Sequence, residues 1–481
     1  MISTIFMKNT RNSKNKNGSA SLETFTTWSD EIVGRIDPFF YRPEIKQVSE
    51  ELRKAKGIPF GEIIQSITNG LDYRQFEDKG STIYLRVGNI KPHKIIFDDA
   101  KRVNFNIDEI AKDIHLNKGD ILLTRKGSFG ISVALTENID ALISSEIFLI
   151  RLNRKDINPN YVEVFLNSSI CQKQFQSQKV GAIMGSLSQD AVKDILIPIP
   201  PLSVQNEVVK EIQEAYKQRQ EREAKIENIL LSIDDFVFGE IGIDIPKESP
   251  ERVFQIWSNE IEGRLDVLFY KPILLNLLDQ ITRQRHFTLG EAITEMSGGA
   301  TPKVTEDYYL DEGGVPFLRV QNITEMGINL DDVKFIKPKV NQTMLKRSQL
   351  KKDDLVFTIT GRIGSVAVVP ENFDGNINQH SVRIHLQNEV DKTKILPEYV
   401  AVFFNTKAGR DLSFRYTTGG TRPALDYEAL RELVVPLPSE EIQKRIVGGV
   451  NSFYERIRAL KMEADEVLCS AQKQVEQMIL A

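Results

Sequence analysis

The chain has 481 residues, 41% of them hydrophobic and 27% charged, a globular composition long enough for about three domains. No apolar run approaches the roughly 18 residues a membrane span needs, and two cysteines, Cys171 and Cys469, lack metal-ligand spacing and fit a reducing cytoplasm. The net charge of −5 excludes a uniformly basic nucleic-acid binder: Lys and Arg balance Asp and Glu at 17 against 17 over residues 59–200 and 18 against 20 over 288–438, so any grip on phosphate needs a local basic face.

Residues 1–27, rich in Asn, Ser and Lys and without the apolar stretch of a signal peptide, read as a flexible tail. A segment over 28–57 follows, with Trp28, Gly34-Arg35, Asp37, Phe40-Tyr41 and Pro43, then a short amphipathic helix carrying Ile45, Val48 and Leu52 on one face. Residues 58–202 hold short β-branched runs at Ile83–Val87, Ile121–Thr124 and Ile147–Leu152, punctuated by turn formers, with one helix near Asn160–Phe165. Pro198-Ile199-Pro200-Pro201-Leu202 reads as a helix entry, and over 203–240 the positions Val208, Ile212, Ala215, Arg219, Arg222, Ile226, Ile229 and Ile233 fall at coiled-coil spacing. Arg219 and Arg222 interrupt the apolar seam, as polar positions do where register and partner are fixed.

The same order then returns. Residues 241–286 are a linker and a second repeat segment, with Trp257, Gly263-Arg264, Asp266, Phe269-Tyr270 and Pro272 at an offset of 229, then Leu274, Leu277 and Ile281. Residues 287–438 form the second domain, with runs at Val315–Val320, Leu355–Thr360 and Val382–Leu386 and a helix at Glu398–Asn405. The offset grows to 234 between Asp120 and Asp354 and to 238 between Pro200 and Pro438. A last helix over 439–481 places Ile446, Val450, Phe453, Ile457, Leu460, Ala464, Val467 and Ala471 at steps of four and three. This is a duplication. The fold expected is α+β: two mixed α/β domains related by duplication, separated by two long antiparallel coiled-coil helices. The repeated Trp28 and Trp257 read as packing residues, with docking of a partner subunit as the alternative.

Catalytic signatures are missing. There is no Gly-x-x-x-x-Gly-Lys-Ser/Thr loop, no His-Glu-x-x-His, and no Asn/Asp-Pro-Pro-aromatic tetrapeptide. Glu44-Ile45-Lys46 sits at a helix start, where it reads as surface charge, and Asp120 and Asp354 stand in turns where Asp satisfies backbone donors. No catalytic residue, metal or cofactor is expected.

Ser297-Gly298-Gly299 with Thr301-Pro302, then Val315–Val320, resembles the opening of the target-recognition domains of type I restriction-modification specificity subunits. Leu355–Thr358 leading to Gly361 and Gly364, and Ile121–Gly130 with Gly127 and Gly130, resemble that family's central strand and turn. Pro198–Leu202 with Gln205, and Pro436–Pro438 with Gln443, resemble its junction between domain and helix. The resemblance covers residues 28–481; the first half departs from it in having no Thr-Pro beside Asn69-Gly70.

The resemblance implies a cytoplasmic, non-catalytic subunit that binds double-stranded DNA with two domains and reads two half-sites across an unread spacer. It also implies two methyltransferase (modification) subunits and ATP-dependent restriction subunits as partners. A specificity module of another DNA-modifying or phage-defence system, or a coiled-coil adaptor without DNA binding, also fits the residues. Base reading favours Arg, Lys, Asn, Gln, Ser and Thr on loops. The candidates are Asn69, Arg74, Arg86, Arg125, Lys126, Lys179 and Ser186 in the first half, and Thr301, Lys303, Arg319, Gln321, Arg362, Arg415, Thr421 and Arg422 in the second. The length of the two long helices is expected to set the spacer.

Overall fold

The computed structural model describes residues 4–8, 13–14, 20–21, 24–28, 42–77, 79–106, 114–178, 185–245, 253–261, 263–303 and 305–481. Residues 29–41 of the first repeat segment and 246–252 of the linker lie outside the described residues. Where a tail was expected, Thr4–Lys8 pairs antiparallel with Thr24–Trp28, and Ser13–Lys14 with Ala20–Ser21. The Thr, Ile and Phe content of the longer pair is what strands favour.

The chain divides into two compact units, Met1–Arg222 with Glu463–Ala481, and Glu223–Met462. In the first, an antiparallel sheet runs in the order Ser132–Ala134, Ile121–Thr124, Ile147–Leu152, Ile64–Asn69. A second sheet orders Lys101–Val103, Thr82–Leu85 and Ala141–Ile143, the last pair parallel. All four residues of Ile121–Thr124 are buried, because both faces of that strand are covered. Its period-two alternation sends Ile121 and Leu123 into one cluster with the helices and Leu122 into another with Leu85 and Ile143. Phe60, Phe148, Phe165 and Phe175 are fully buried on the helical side, each contributing about 1.5–3 kcal/mol.

The second unit repeats this plan. Ile293–Gly298, Ser381–Leu386, Leu355–Thr358 and Val366–Val368 form the four-stranded antiparallel sheet. Tyr309–Leu310, Lys334–Ile336, Val315–Leu318 and Asn376–Ile377 form its neighbour, again with the last pair parallel. Leu355 and Phe357 join the helical cluster while Val356 faces the other way. Even the register repeats: Phe148 opposes Asn69, and Val382 opposes Gly298.

Near the end of each domain, where one helix was expected, the described residues form three short ones. They are Pro159–Asn167, Ser169–Gln178 and Gln189–Lys193 in the first, and Pro397–Asn405, Lys407–Arg415 and Tyr427–Glu432 in the second. Pro43–Lys54 and Pro272–Thr282 bury the expected Ile45, Val48, Leu52 and Leu274, Leu277, Ile281. The long helices are Leu202–Glu240 and Glu440–Leu480, and each contributes one part to each unit.

Within each unit these parts run antiparallel. In the first, Arg219 meets Asp465 at 3.9 Å and Arg222 meets Glu463 at 3.4 Å, so the seam's interruption is half-buried Arg with acidic partners across the pair. In the second, Arg445 pairs with Glu240, and the Phe236 and Phe453 rings pack edge-on at 5.4 Å. The Phe236 ring also lies where a Cβ on Gly449 would stand, which accounts for a glycine inside a helix. No helix among the described residues is long and apolar enough to cross a membrane.

Trp257 corrects the packing expectation: it is exposed, as are Leu265 and Val267. The polar members of the motif make the anchor instead, with Arg264 donating to the Thr417 carbonyl at 2.8 Å and pairing with Asp266 at 2.8 Å.

Candidate nucleic-acid interface

Each domain is clamped to the start of its long helix by one buried glutamine. Gln205 accepts from the Asn158 N–H at 2.8 Å and donates to the carbonyls of Asp156 and Pro200 at 3.2 and 2.9 Å. Gln443 accepts from the Leu396 N–H at 3.0 Å and donates to those of Lys394 and Pro438 at 2.8 and 3.0 Å. Tyr161 and Tyr399 close the same junctions by donating to the carbonyls of Pro198 and Pro436. Burial raises the pKa of both phenols well above the ordinary value, so they remain donors.

The central strand of each unit ends in a turn held by its own threonine. Thr124 donates to the Ser128 carbonyl at 2.7 Å, and Thr358 donates to that of Arg362. Gly127 and Gly361 have φ of 74° and 75°, a left-handed conformation that L side chains resist. The recurring aspartates take the role expected of them: Asp120 accepts from the Asn117 N–H and Asp354 from that of Lys351.

In the first unit this turn opens into a cleft of about 500 Å³ that brings together Arg74, Arg86, Arg125, Lys126 and Ser186, five of the seven candidates. Lys126 and Ser186 face each other across a β-bridge. Asn69 is exposed at the end of its strand and does not line the cleft, and Lys179 lies outside the described residues. Four cations here face two carboxylates, Asp72 and Glu146. Arg125 stands 5.0 Å over the Phe148 ring, and Arg74 pairs with Asp72 at 3.2 Å at an exposed position. The Nε atoms of Arg86 and Arg125 are buried without a hydrogen-bond partner. A buried unmatched donor costs about 1–3 kcal/mol.

Sequence reasoning missed Tyr73, Phe76, Tyr84 and the Ser144–Glu146 stretch, which also line the cleft. Tyr84 donates to the Leu71 carbonyl at 2.7 Å, and burial raises its pKa.

The second unit distributes its candidates over separate clusters. Thr301 donates to Gln379, whose amide meets His380, whose Nδ1 lies 2.6 Å from the Thr360 hydroxyl. Gln379, His380 and Thr360 were not foreseen, although the 234-residue offset carries Lys126 onto Thr360 and Glu146 onto His380. Arg319 and Gln321 converge on Asp332, at 2.9 and 3.2 Å. The hydrogen bond from Arg319 is the main cause holding the Asp332 carboxyl below its ordinary pKa. Arg319 Nε is buried and unpartnered, like its counterpart on Arg86.

Arg362 is exposed and reaches Glu325 at 3.3 Å. Lys303, Thr421 and Arg422 are exposed, the last two on a hairpin closed by the Thr418–Ala424 bridge. Arg415 is a correction. It is buried, stacks 3.7 Å over the Phe269 ring and donates to the Phe269 carbonyl, so it packs the unit and presents nothing to a groove. Among the described residues no group of three or more His, Cys, Asp or Glu is placed to hold a metal ion.

Two copies of one mixed α/β domain, each presenting a polar turn beside its central strand and each clamped to a long helix, define a duplicated two-domain protein. The family model of the type I restriction modification DNA specificity domain matches residues 56–231 and again 286–468, and the chain belongs to that family. It is 20% identical over 364 residues to the type I restriction enzyme EcoBI specificity subunit of Escherichia coli, covering 75% of this chain and 72% of that one. It is 23% identical over 465 residues to a putative type I restriction enzyme MjaX specificity subunit of Methanocaldococcus jannaschii, covering 92% and 95%. Among solved structures it is similar to a type I restriction-modification system S subunit from M. genitalium, at 14% identity and a TM-score of 0.42, with 88% of this chain and 95% of that one covered.

Proposed function

We propose that this chain is the DNA-reading, non-catalytic subunit of a type I restriction-modification complex, in which it directs methyltransferase and restriction subunits to a bipartite, asymmetric site. The first-unit cleft carries the reading: it gathers Arg86, Arg125 and Lys126 beside a glycine-shaped turn. Arg and Lys are the residues that pair with guanine edges and phosphates. Asymmetry follows from the second unit, which offers Thr301, Gln379, His380 and Arg319 in place of that basic set. Each unit reads one half-site, and the length of the long helices sets the spacer between them.

The test is methylated-site mapping in cells that carry the full system. Arg86→Ala with Arg125→Ala relaxes or abolishes one half of the motif, since each base contact is worth about 1–3 kcal/mol, and leaves the other half intact. Unchanged methylation at the full parental motif overturns the reading.

A further inference from the structure

The near-neutral balance of the second domain hides a sharp concentration of charge. Residues 334–352 contain seven Lys and Arg and no Asp or Glu. The repeat-equivalent stretch of the first domain, 101–118, has four Lys and Arg and three Asp and Glu. Duplication has therefore left one copy of this connection strongly basic and the other almost neutral.

The basic copy is fixed in place. After the strand Lys334–Ile336, Pro338 opens a short helix, Pro338–Gln342, and Val340 and Leu345 bury against Phe317 and Ile336. Below it lies a network of buried amides. Asn376 donates to Asn341 at 2.7 Å and to the Leu345 carbonyl at 2.9 Å, and Ser348 donates to Asn376 at 2.8 Å. The cations alternate with these anchors and face outward. Lys339, Lys346 and Arg347 are exposed, and none of the three has a carboxylate partner among the described residues. By contrast Lys337, Lys351 and Lys352 pair with Asp307, Glu295 and Glu371.

Arg347 lines an open trough of about 850 Å³ beside Lys346 and Lys351, and it also lines the adjoining trough with Ser297 and Gly298. Those two residues end the strand that leads to Thr301. Exposed cations without carboxylate partners, carried on an anchored segment beside a candidate reading loop, suit contact with the phosphates of a duplex.

We infer that Lys339, Lys346 and Arg347 form a phosphate rail that grips the DNA backbone beside the second half-site. This rests on the DNA-reading assignment above. The rail adds affinity and orientation without sequence preference, and it supplies the local basic face that the net charge of −5 leaves to be found.

The test measures binding of the full chain to a long mixed-sequence duplex across a salt series. Replacing all three (Lys339→Ala, Lys346→Ala, Arg347→Ala) lowers the slope of log K against log salt by about 2.7, since each lost phosphate contact removes about 0.9. The charge-keeping exchange (Lys339→Arg, Lys346→Arg, Arg347→Lys) retains the parental slope, which separates lost charge from lost fold. If the parent binds and the alanine variant keeps its slope, the rail is wrong and the DNA-reading assignment stands. Loss of slope in the charge-keeping variant also overturns the rail. If the parent shows no salt-dependent duplex binding, both fall together.

Discussion

Replacing Gln443 with Met keeps the side chain's length and removes every hydrogen bond it makes. Gln443 is fully buried, so no water takes over for the Leu396 N–H or the carbonyls of Lys394 and Pro438. Three bonds at about 1 kcal/mol net each give a loss of about 3 kcal/mol. Gln205→Met removes the same set from the Asn158 N–H and the carbonyls of Asp156 and Pro200, so its cost is the same. Scanning calorimetry of the full chain reads the effect as a drop of roughly 6–12 °C for a unit of this size. Gln443→Met lowers the transition of the second unit and Gln205→Met that of the first, because each glutamine bonds only within its own unit.

Gln443→Glu adds a pH arm. The carboxylate still accepts from Leu396 but faces two carbonyls in a buried site, so its folded pKa rises above the unfolded value of about 4.3. Stability is then fullest below that unfolded value and is lost as pH rises through the folded one. Shifts below about 2 °C for both Met variants, against the roughly 3 kcal/mol expected, refute the clamp.

The adjacent glycines of the distal helix separate two effects. A Cβ at Gly448 meets nothing, so Gly448→Ala stabilises by about 0.5–1 kcal/mol through helix propensity. At Gly449 an added Cβ overlaps the Phe236 ring, so Gly449→Ala destabilises in the same melt, and equal effects contradict the packing. The Asp332 carboxyl, held low mainly by its hydrogen bond from Arg319, contributes stability above its ordinary pKa of 3.8 and loses it as pH falls through the depressed value. Carboxyl titration by NMR finds Asp332 below that value in the parent and restored in Arg319→Ala; an unmoved titration in the variant refutes the pairing.

The duplication was legible because it is written in residue identity and order, and the offsets of 229 and 234 reappear as strand register. The long helices were legible because their spacing is regular, though the seam drifts. Tyr454 and Leu468 are buried more completely than Phe453 and Val467, as expected when a 3.6-residue helix departs from a strict seven-residue repeat. Ser169–Gln178 escaped notice because only Ile170, Cys171 and Phe175 give it an apolar face. The cleft was half legible. Arg125 and Lys126 announce themselves by the glycine turn after a strand, whereas Ser144–Glu146 reach the same place through a parallel pairing of Ala141–Ile143 with Thr82–Leu85 that no local pattern encodes. Arg415 was misread because a cation's stacking partner, Phe269, lies 146 residues away in the chain.

Because the first unit combines Met1–Arg222 with Glu463–Ala481, its gene segment and its folded body do not coincide. Leu468, Ala471, Val475 and Ile479 belong to the same core as Val48, Phe60 and Ile212. During synthesis at about 5–20 residues per second, the intervening roughly 240 residues take about 10–50 s to appear. For that interval the earlier-made helix face of Val208, Ile212 and Ala215 stands without its cover. The second unit is contiguous, so every residue of it is made before the last helical part of the first unit.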